Sequence, residues 1–321
     1  MFCLSHSPFL ISFSTQINSP HFYINGTSLT SISFPSKPLI NVTKKLSLNS
    51  SFSANSLAEQ HHQEEEEEYR VITATKSEYN DIVILESQNS KVLLLDDTGN
   101  IHSILYKHQK WTNSYWDEFC SLPAIIPNGP VAIYGLGGGT VAHQLLEFWP
   151  SLVIDGWELD EILIDRARMF LGISELEMPN HSQGGILRVC IGDVLSPSAS
   201  VEGGYAGIVV DLFSNGEVLP QLEVAETWLE MRDKLMPNGR IMVNCGGVKV
   251  KQDSSEWQLN FTIKALCEAF GGDYVHWKKM PENESGNYMA FTGPLPDLDL
   301  WSESVQEKLK SAVRQWKPCQ L

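Results

Sequence analysis

The stretch Val131-Ala132-Ile133-Tyr134-Gly135-Leu136-Gly137-Gly138-Gly139-Thr140 decides how the rest of the chain is read. Its first four residues are apolar or aromatic and predict a strand buried on both faces, and the glycines then turn the backbone into a helix over Val141 to Trp149. A glycine turn at that place lets the backbone approach a bound nucleoside closely, and the helix N-terminus adds a positive dipole. Downstream the strand–helix rhythm repeats. Strands are predicted at Leu152 to Trp157, Ile186 to Ile191, Gly207 to Val210 and Arg240 to Asn244. Helices are predicted at Glu161 to Leu171, Leu222 to Leu235 and Trp257 to Phe270, with a turn at Met236-Pro237-Asn238-Gly239. Two strands back to back, Asp273 to Lys278 and Asn287 to Thr292, finish the domain. This succession does not repeat as a barrel does. It predicts an α/β fold, a doubly wound Rossmann sheet with an antiparallel terminal hairpin and a ligand at the carboxyl ends of its strands.

The acids sit where such a sheet needs them. Glu158 follows the second strand, 23 residues beyond Gly135, where a carboxylate accepts from ribose hydroxyls. Asp193, in Ile191-Gly192-Asp193, is placed to accept from an adenine amino group, and it also fits a plain turn aspartate. Asp211, in Val209-Val210-Asp211-Leu212-Phe213-Ser214, ends the fourth strand at the rim; a carboxylate there holds a cationic amine, acts as base towards it, or caps a turn. A glycine turn with one acid suits NAD as well as an S-adenosylmethionine-type nucleoside. Thr140 in place of the sixth glycine of the dinucleotide fingerprint, Asp193, and the methyltransferase-type closing hairpin favour the second.

Upstream, Tyr79 to Glu86, Lys91 to Asp96 and Ile101 to Tyr106 read as strands joined by hairpin turns, hence a small antiparallel β-domain over residues 69–125. Residues 126–296 form the nucleoside-binding domain, and residues 297–321 carry an expected amphipathic C-terminal helix from Trp301 to Trp316. Residues 1–68 differ from the rest. They are rich in serine, lack acids before Glu59 and arginine before Arg70, and run into the acidic linker Glu64 to Glu68, so a chloroplast transit peptide is expected there. Across 321 residues, 23 Lys and Arg stand against 39 Asp and Glu, a net charge of −16, which argues against nucleic acid or an anionic membrane face as partner. No run reaches the roughly 18 apolar residues of a membrane span. The six cysteines show no metal-ligand spacing and read as reduced thiols of a non-oxidising compartment; no metal site is expected.

Taken together, Ser77-Glu78-Tyr79-Asn80-Asp81-Ile82, Val92-Leu93-Leu94-Leu95-Asp96, Gly135 to Gly139, Gly192-Asp193 and Leu229 to Val243 resemble the spermidine synthase family of polyamine aminopropyltransferases, an offshoot of the class I methyltransferase fold. The resemblance runs from about Tyr69 to Gly293. It implies no permanently bound cofactor, decarboxylated S-adenosylmethionine as co-substrate on Gly135, Gly137, Gly138, Gly139, Glu158 and Asp193, and a small amine steered by Asp211 with Tyr115 and Asp117 nearby. It also implies a homodimer. The chain departs from the family pattern at four places. The paired acids D-x-x-D become Asp211-Leu212-Phe213-Ser214, and the Tyr-His-Glu triplet becomes Tyr115-Trp116-Asp117. The loop aspartate that repels intact S-adenosylmethionine becomes Gly138, and the substrate glutamine has only Asn100 or His102 as counterpart. Three readings follow: aminopropyl transfer, methyl transfer from S-adenosylmethionine to an unknown acceptor, or a non-catalytic nucleoside-binding relative.

Overall fold

The computed structural model describes residues 67–180, 183–247, 257–282 and 284–319, together with a two-residue antiparallel pair, Tyr23–Ile24 with Thr27–Ser28. Apart from that pair, Glu67 and Glu68, the expected transit peptide and linker lie outside the described residues.

A four-stranded antiparallel meander comes first: β1 (Arg70–Lys76), β2 (Asp81–Glu86), β3 (Ser90–Leu94) and β4 (Ser103–Tyr106). The larger sheet contains β5 (Val131–Tyr134), β6 (Val153–Glu158), β7 (Ile186–Ile191), β8 (Tyr205–Val210), β9 (Leu235–Asn244), β10 (Val275–Lys279), β11 (Tyr288–Thr292) and β12 (Lys317–Pro318). Its order is β12-β10-β11-β9-β8-β5-β6-β7. Strands β5 to β9 run parallel, whereas β11 pairs antiparallel with β9 and with β10. The chain winds outward from β5 through β6 to β7, then crosses back to β8, so the topological switch lies between β5 and β8, where a ligand crevice belongs. All residues of β5 and β8 are buried, which explains why both read as unbroken apolar runs rather than alternating ones.

Several expected elements shift. The helix predicted over Leu222 to Leu235 is a 3₁₀ turn at Pro220–Glu223 followed by a helix at Ala225–Arg232. Met236-Pro237-Asn238-Gly239 is a bulge inside β9: Tyr205 faces Leu235, but Gly207 already faces Arg240, with Asn238 at φ 63° absorbing the extra residues. The helix expected from Trp257 begins properly at Phe261, because Asn260 caps it by accepting from Ile263 N. The predicted C-terminal helix from Trp301 to Trp316 is broken. It consists of a helix at Leu298–Ser304, 3₁₀ turns at Glu307–Leu309 and Val313–Gln315, and the edge strand β12. Tertiary packing overrides its helical periodicity, since Trp301, Leu309, Val313 and Trp316 are buried in the same apolar cluster as Ile82, Ile84 and Leu93 of the small sheet. The small sheet thus shares a core with the main domain. Among the described residues no helix is long and apolar enough to cross a membrane.

Candidate active site

A cavity of about 940 Å³ opens at the carboxyl ends of β5 to β9, and the small sheet forms its opposite wall. The β5 turn contributes Gly135 and Gly137, both at positive φ (87° and 53°). Gly135 has no alternative, since a Cβ there would sit 2.3 Å from Asp211 O. The strand ends supply Glu158 from β6, Gly192 and Asp193 after β7, Asp211 after β8 and Asn244 from β9.

Glu158 is tied to the glycine turn. Its Oε2 accepts from Gly137 N at 2.9 Å, and its Oε1 accepts from Leu159 N at 2.9 Å and Asp160 N at 3.2 Å. Burial pushes its carboxyl above the usual range despite these donors. Asp193 is exposed to the cavity, and its Oδ1 accepts from Leu195 N at 2.9 Å.

Asp211 is held by three donors. Its Oδ2 accepts from Tyr115 OH and Trp116 Nε1, each at 3.1 Å, and its Oδ1 accepts from Asn244 Nδ2 at 3.0 Å. Three of about four acceptor directions are therefore filled, leaving one for a ligand N–H. Burial raises the Asp211 carboxyl, and the same burial together with the Asp211 charge drives the Tyr115 phenol well above its ordinary value. Asn244 is itself held, accepting from Gly246 N and Asn287 Nδ2, both at 3.0 Å.

Three of the expected site residues stand elsewhere. Asp117 does not line the cavity. It is 3% exposed and accepts from Thr112 N at 2.9 Å, Thr112 Oγ1 at 2.7 Å, Asn113 N at 3.0 Å, Gln144 Nε2 at 2.6 Å and Lys308 Nζ at 2.6 Å. It fixes the loop that presents Tyr115 and has no direction left for substrate. Gly138 and Gly139 do not line the cavity either; Gly138 packs against Ser103 of the small sheet and Leu171, and Gly139 against Ile173 and His143. Gly138 N donates to Ser103 Oγ at 2.8 Å, and Cβ atoms at the two glycines would lie 2.6 Å from Leu171 Cδ1 and 2.3 Å from Ile173 Cδ1. The space of the family's loop aspartate is thus filled by Ser103 and Leu171. Restoring it as Gly138→Asp is expected to cost about 1–3 kcal/mol by overpacking. A lower thermal midpoint with no gain in donor selectivity is the expected result.

The sequence reading missed Trp116 and Asn244 as partners of Asp211. Asn244 carried a usable signal, since it ends a parallel strand as Glu158 and Asp211 do. Trp116 carried none, because an indole N–H aimed at a carboxylate is indistinguishable in sequence from a core tryptophan.

No protein-family model matches the chain. It is 25% identical over 192 residues to a probable polyamine aminopropyl transferase of Bifidobacterium longum, covering 60% of this chain and 41% of that protein. It is 28% identical over 255 residues to a polyamine aminopropyltransferase of Vibrio vulnificus, covering 76% of this chain and 79% of that protein. The chain thus spans under half the length of the first of these relatives. Among solved structures, spermidine synthase from Thermotoga maritima superposes with a TM-score of 0.54 at 17% identity, covering 75% of this chain and 77% of that one. In sequence the chain is similar to polyamine aminopropyltransferases, and its fold, a Rossmann-type sheet preceded by a small antiparallel sheet, is like that of spermidine synthase.

Proposed function

We propose that the chain is an aminopropyltransferase that brings decarboxylated S-adenosylmethionine and a small amine together in this cavity. One observation carries the reading. Among the described residues lining the cavity there are five carboxylates, Glu67, Glu158, Asp193, Asp211 and Glu284, and no lysine or arginine. Such a field attracts cations and offers no charged partner for the carboxylate of intact S-adenosylmethionine. The selectivity that the family draws from its loop aspartate is here spread over the whole cavity.

In the reaction the amine nitrogen attacks the donor's propyl carbon beside the sulfonium. The carbon–sulfur bond breaks with its electron pair remaining on sulfur, methylthioadenosine leaves, and the amine gives up one proton. Glu158 accepts from the ribose and Asp193 from adenine, while Asp211 uses its remaining acceptor direction to hold the attacking nitrogen in line. Alignment of this kind is worth effective molarities of about 10⁵–10⁸ M.

A thermal-shift panel tests the reading. At about 100-fold over its Kd, a ligand adds about 2.7 kcal/mol. Methylthioadenosine and the decarboxylated donor are expected to stabilise the protein, with little response to S-adenosylmethionine. Preference for S-adenosylmethionine and S-adenosylhomocysteine would instead indicate methyl transfer, and silence towards all of them a non-catalytic scaffold. Glu158→Gln is expected to weaken donor binding about 10- to 100-fold, because a hydrogen bond to a charged group is worth about 1.5–3 kcal/mol; calorimetric titration with methylthioadenosine reads this directly. We further propose that the serine-rich leader directs the chain to the chloroplast, which import of a leader fusion would check, and that the protein pairs as a homodimer, which light scattering would check.

A further inference from the structure

Asp211 is well placed to hold the attacking nitrogen but poorly suited to take its proton. Three donors already occupy its oxygens, so its one remaining acceptor direction is taken up by holding the nitrogen. Another group on the cavity wall is better matched. His102 comes from the small sheet immediately before β4 and lines the same cavity. Its Nε2 lies 3.4 Å from Asp96 Oδ2, while Asp96 Oδ1 is held by Thr98 N at 2.9 Å and by the Thr98 hydroxyl. A carboxylate only accepts, so in the neutral ring the hydrogen sits on Nε2, facing Asp96, and Nδ1 keeps its lone pair. Nδ1 is buried and has no hydrogen-bond partner. A buried acceptor left unsatisfied costs about 1–3 kcal/mol, so something normally supplies its hydrogen. An acid holding a histidine whose second nitrogen is unpartnered is the arrangement that orients a general base.

We infer that the His102–Asp96 pair is the proton acceptor of this site: His102 Nδ1 takes the proton that the amine releases as its bond to the propyl carbon forms. This rests on the aminopropyl-transfer reading and deepens it. The amine's lone pair becomes the new nitrogen–carbon bond as the carbon–sulfur pair leaves on sulfur, one N–H bond breaks with its electron pair staying on nitrogen, and the imidazolium formed at His102 is stabilised by Asp96. Asp211 keeps the nitrogen in line, so holding and deprotonating are divided between the two walls of the cavity. An imidazole, with an ordinary pKa of about 6.5, is a far stronger base near neutrality than a carboxylate. The charged groups acting on His102 are Asp96 in its own sheet and Asp211 at the end of β8, with Glu67, Glu158, Asp193 and Glu284 lining the same cavity.

The test uses the full chain with decarboxylated S-adenosylmethionine and 1,4-diaminobutane, following product by mass spectrometry across pH 5.5 to 9. His102→Gln is expected to lower kcat about 10²-fold, the size of a lost general base, and to remove the acid limb of the kcat–pH profile, while methylthioadenosine affinity stays within about twofold. Asp96→Asn is expected to lower kcat while leaving methylthioadenosine affinity within about twofold, since the acceptor that orients the ring is gone. If the His102→Gln variant keeps its kcat within twofold and its acid limb, the assignment is wrong while aminopropyl transfer stands. If the unaltered protein transfers no aminopropyl group at all, the underlying reading fails and this assignment with it.

Discussion

Replacing Asp211 by Asn should reduce aminopropyl transfer by about 10²- to 10³-fold, the size of a lost electrostatic contact at the reacting centre, while leaving methylthioadenosine binding nearly intact. The two effects separate because Asp211 lies at the end of β8, whereas the nucleoside is assigned to the β5 turn, Glu158 and Asp193. An asparagine oxygen can still accept from Tyr115 OH and Trp116 Nε1, so the loop carrying those side chains keeps its anchor. What disappears is the charge that holds a cationic nitrogen. The new amide NH₂ would also face Asn244 Nδ2, whose own oxygen is already engaged by Gly246 N and Asn287 Nδ2. Two opposed donors should cost about 1–3 kcal/mol, seen as a modest loss of thermal midpoint with the fold retained. Steady-state kinetics with calorimetric binding of methylthioadenosine distinguishes the cases. Unchanged kcat would remove Asp211 from the reaction, and lost nucleoside binding would assign it to the donor instead.

The second large effect concerns stability. Lys278 in β10 and Glu118 beside the site loop form a buried ion pair at 2.5 Å, with side chains only 4% and 6% exposed. Lys278 Nζ also donates to Ala312 O at 3.2 Å and lies 5.0 Å over the Trp316 ring, so one ammonium ties β10, the site loop and the C-terminal segment together. Burial lowers the Lys278 pKa, and Glu118 works against that shift. Removing the partner with Glu118→Ala strands a buried cation, a loss of about 3–5 kcal/mol. The pH dependence follows from linkage. A lysine whose folded pKa lies below its unfolded value binds fewer protons when folded, so its penalty is fully present below the folded pKa and fades as pH rises towards the unfolded one. The Glu118→Ala defect should therefore shrink between neutral pH and pH 10. Urea unfolding at both ends of that range measures it, and a defect that stays constant or grows with pH would mean that Lys278 is not the cause.

How far the site was legible depended on the kind of contact. Glu158, Asp193, Asp211, Gly135 and Gly137 were found by one rule, that ligands gather at the carboxyl ends of parallel strands, and all five line the cavity. Tyr115 came from the family resemblance, and it reaches Asp211. Asp117 came from the same triplet but turns into the structure, because Lys308, 191 residues later in the chain, meets it there. Neighbouring residues on a short helix point in different directions, and a triplet written in one line does not show which member faces a cavity. Gly138 and Gly139 lie outside the cavity lining for a related reason. A glycine makes room, and Ser103, Leu171 and Ile173 pack against that room here.

Read alone, the order of residues was enough for the strand succession, the place of the glycine turn and the acids that end β6, β7 and β8, because these follow from local apolar periodicity and from sheet topology. It could not supply the partners of Asp211, the break in the C-terminal segment or the pairing of Asp96 with His102 on the cavity wall. Those depend on side chains from separate elements arriving within hydrogen-bond reach of one another. Such distances exist only once the small sheet and the C-terminal segment have packed against the main sheet around a shared apolar core.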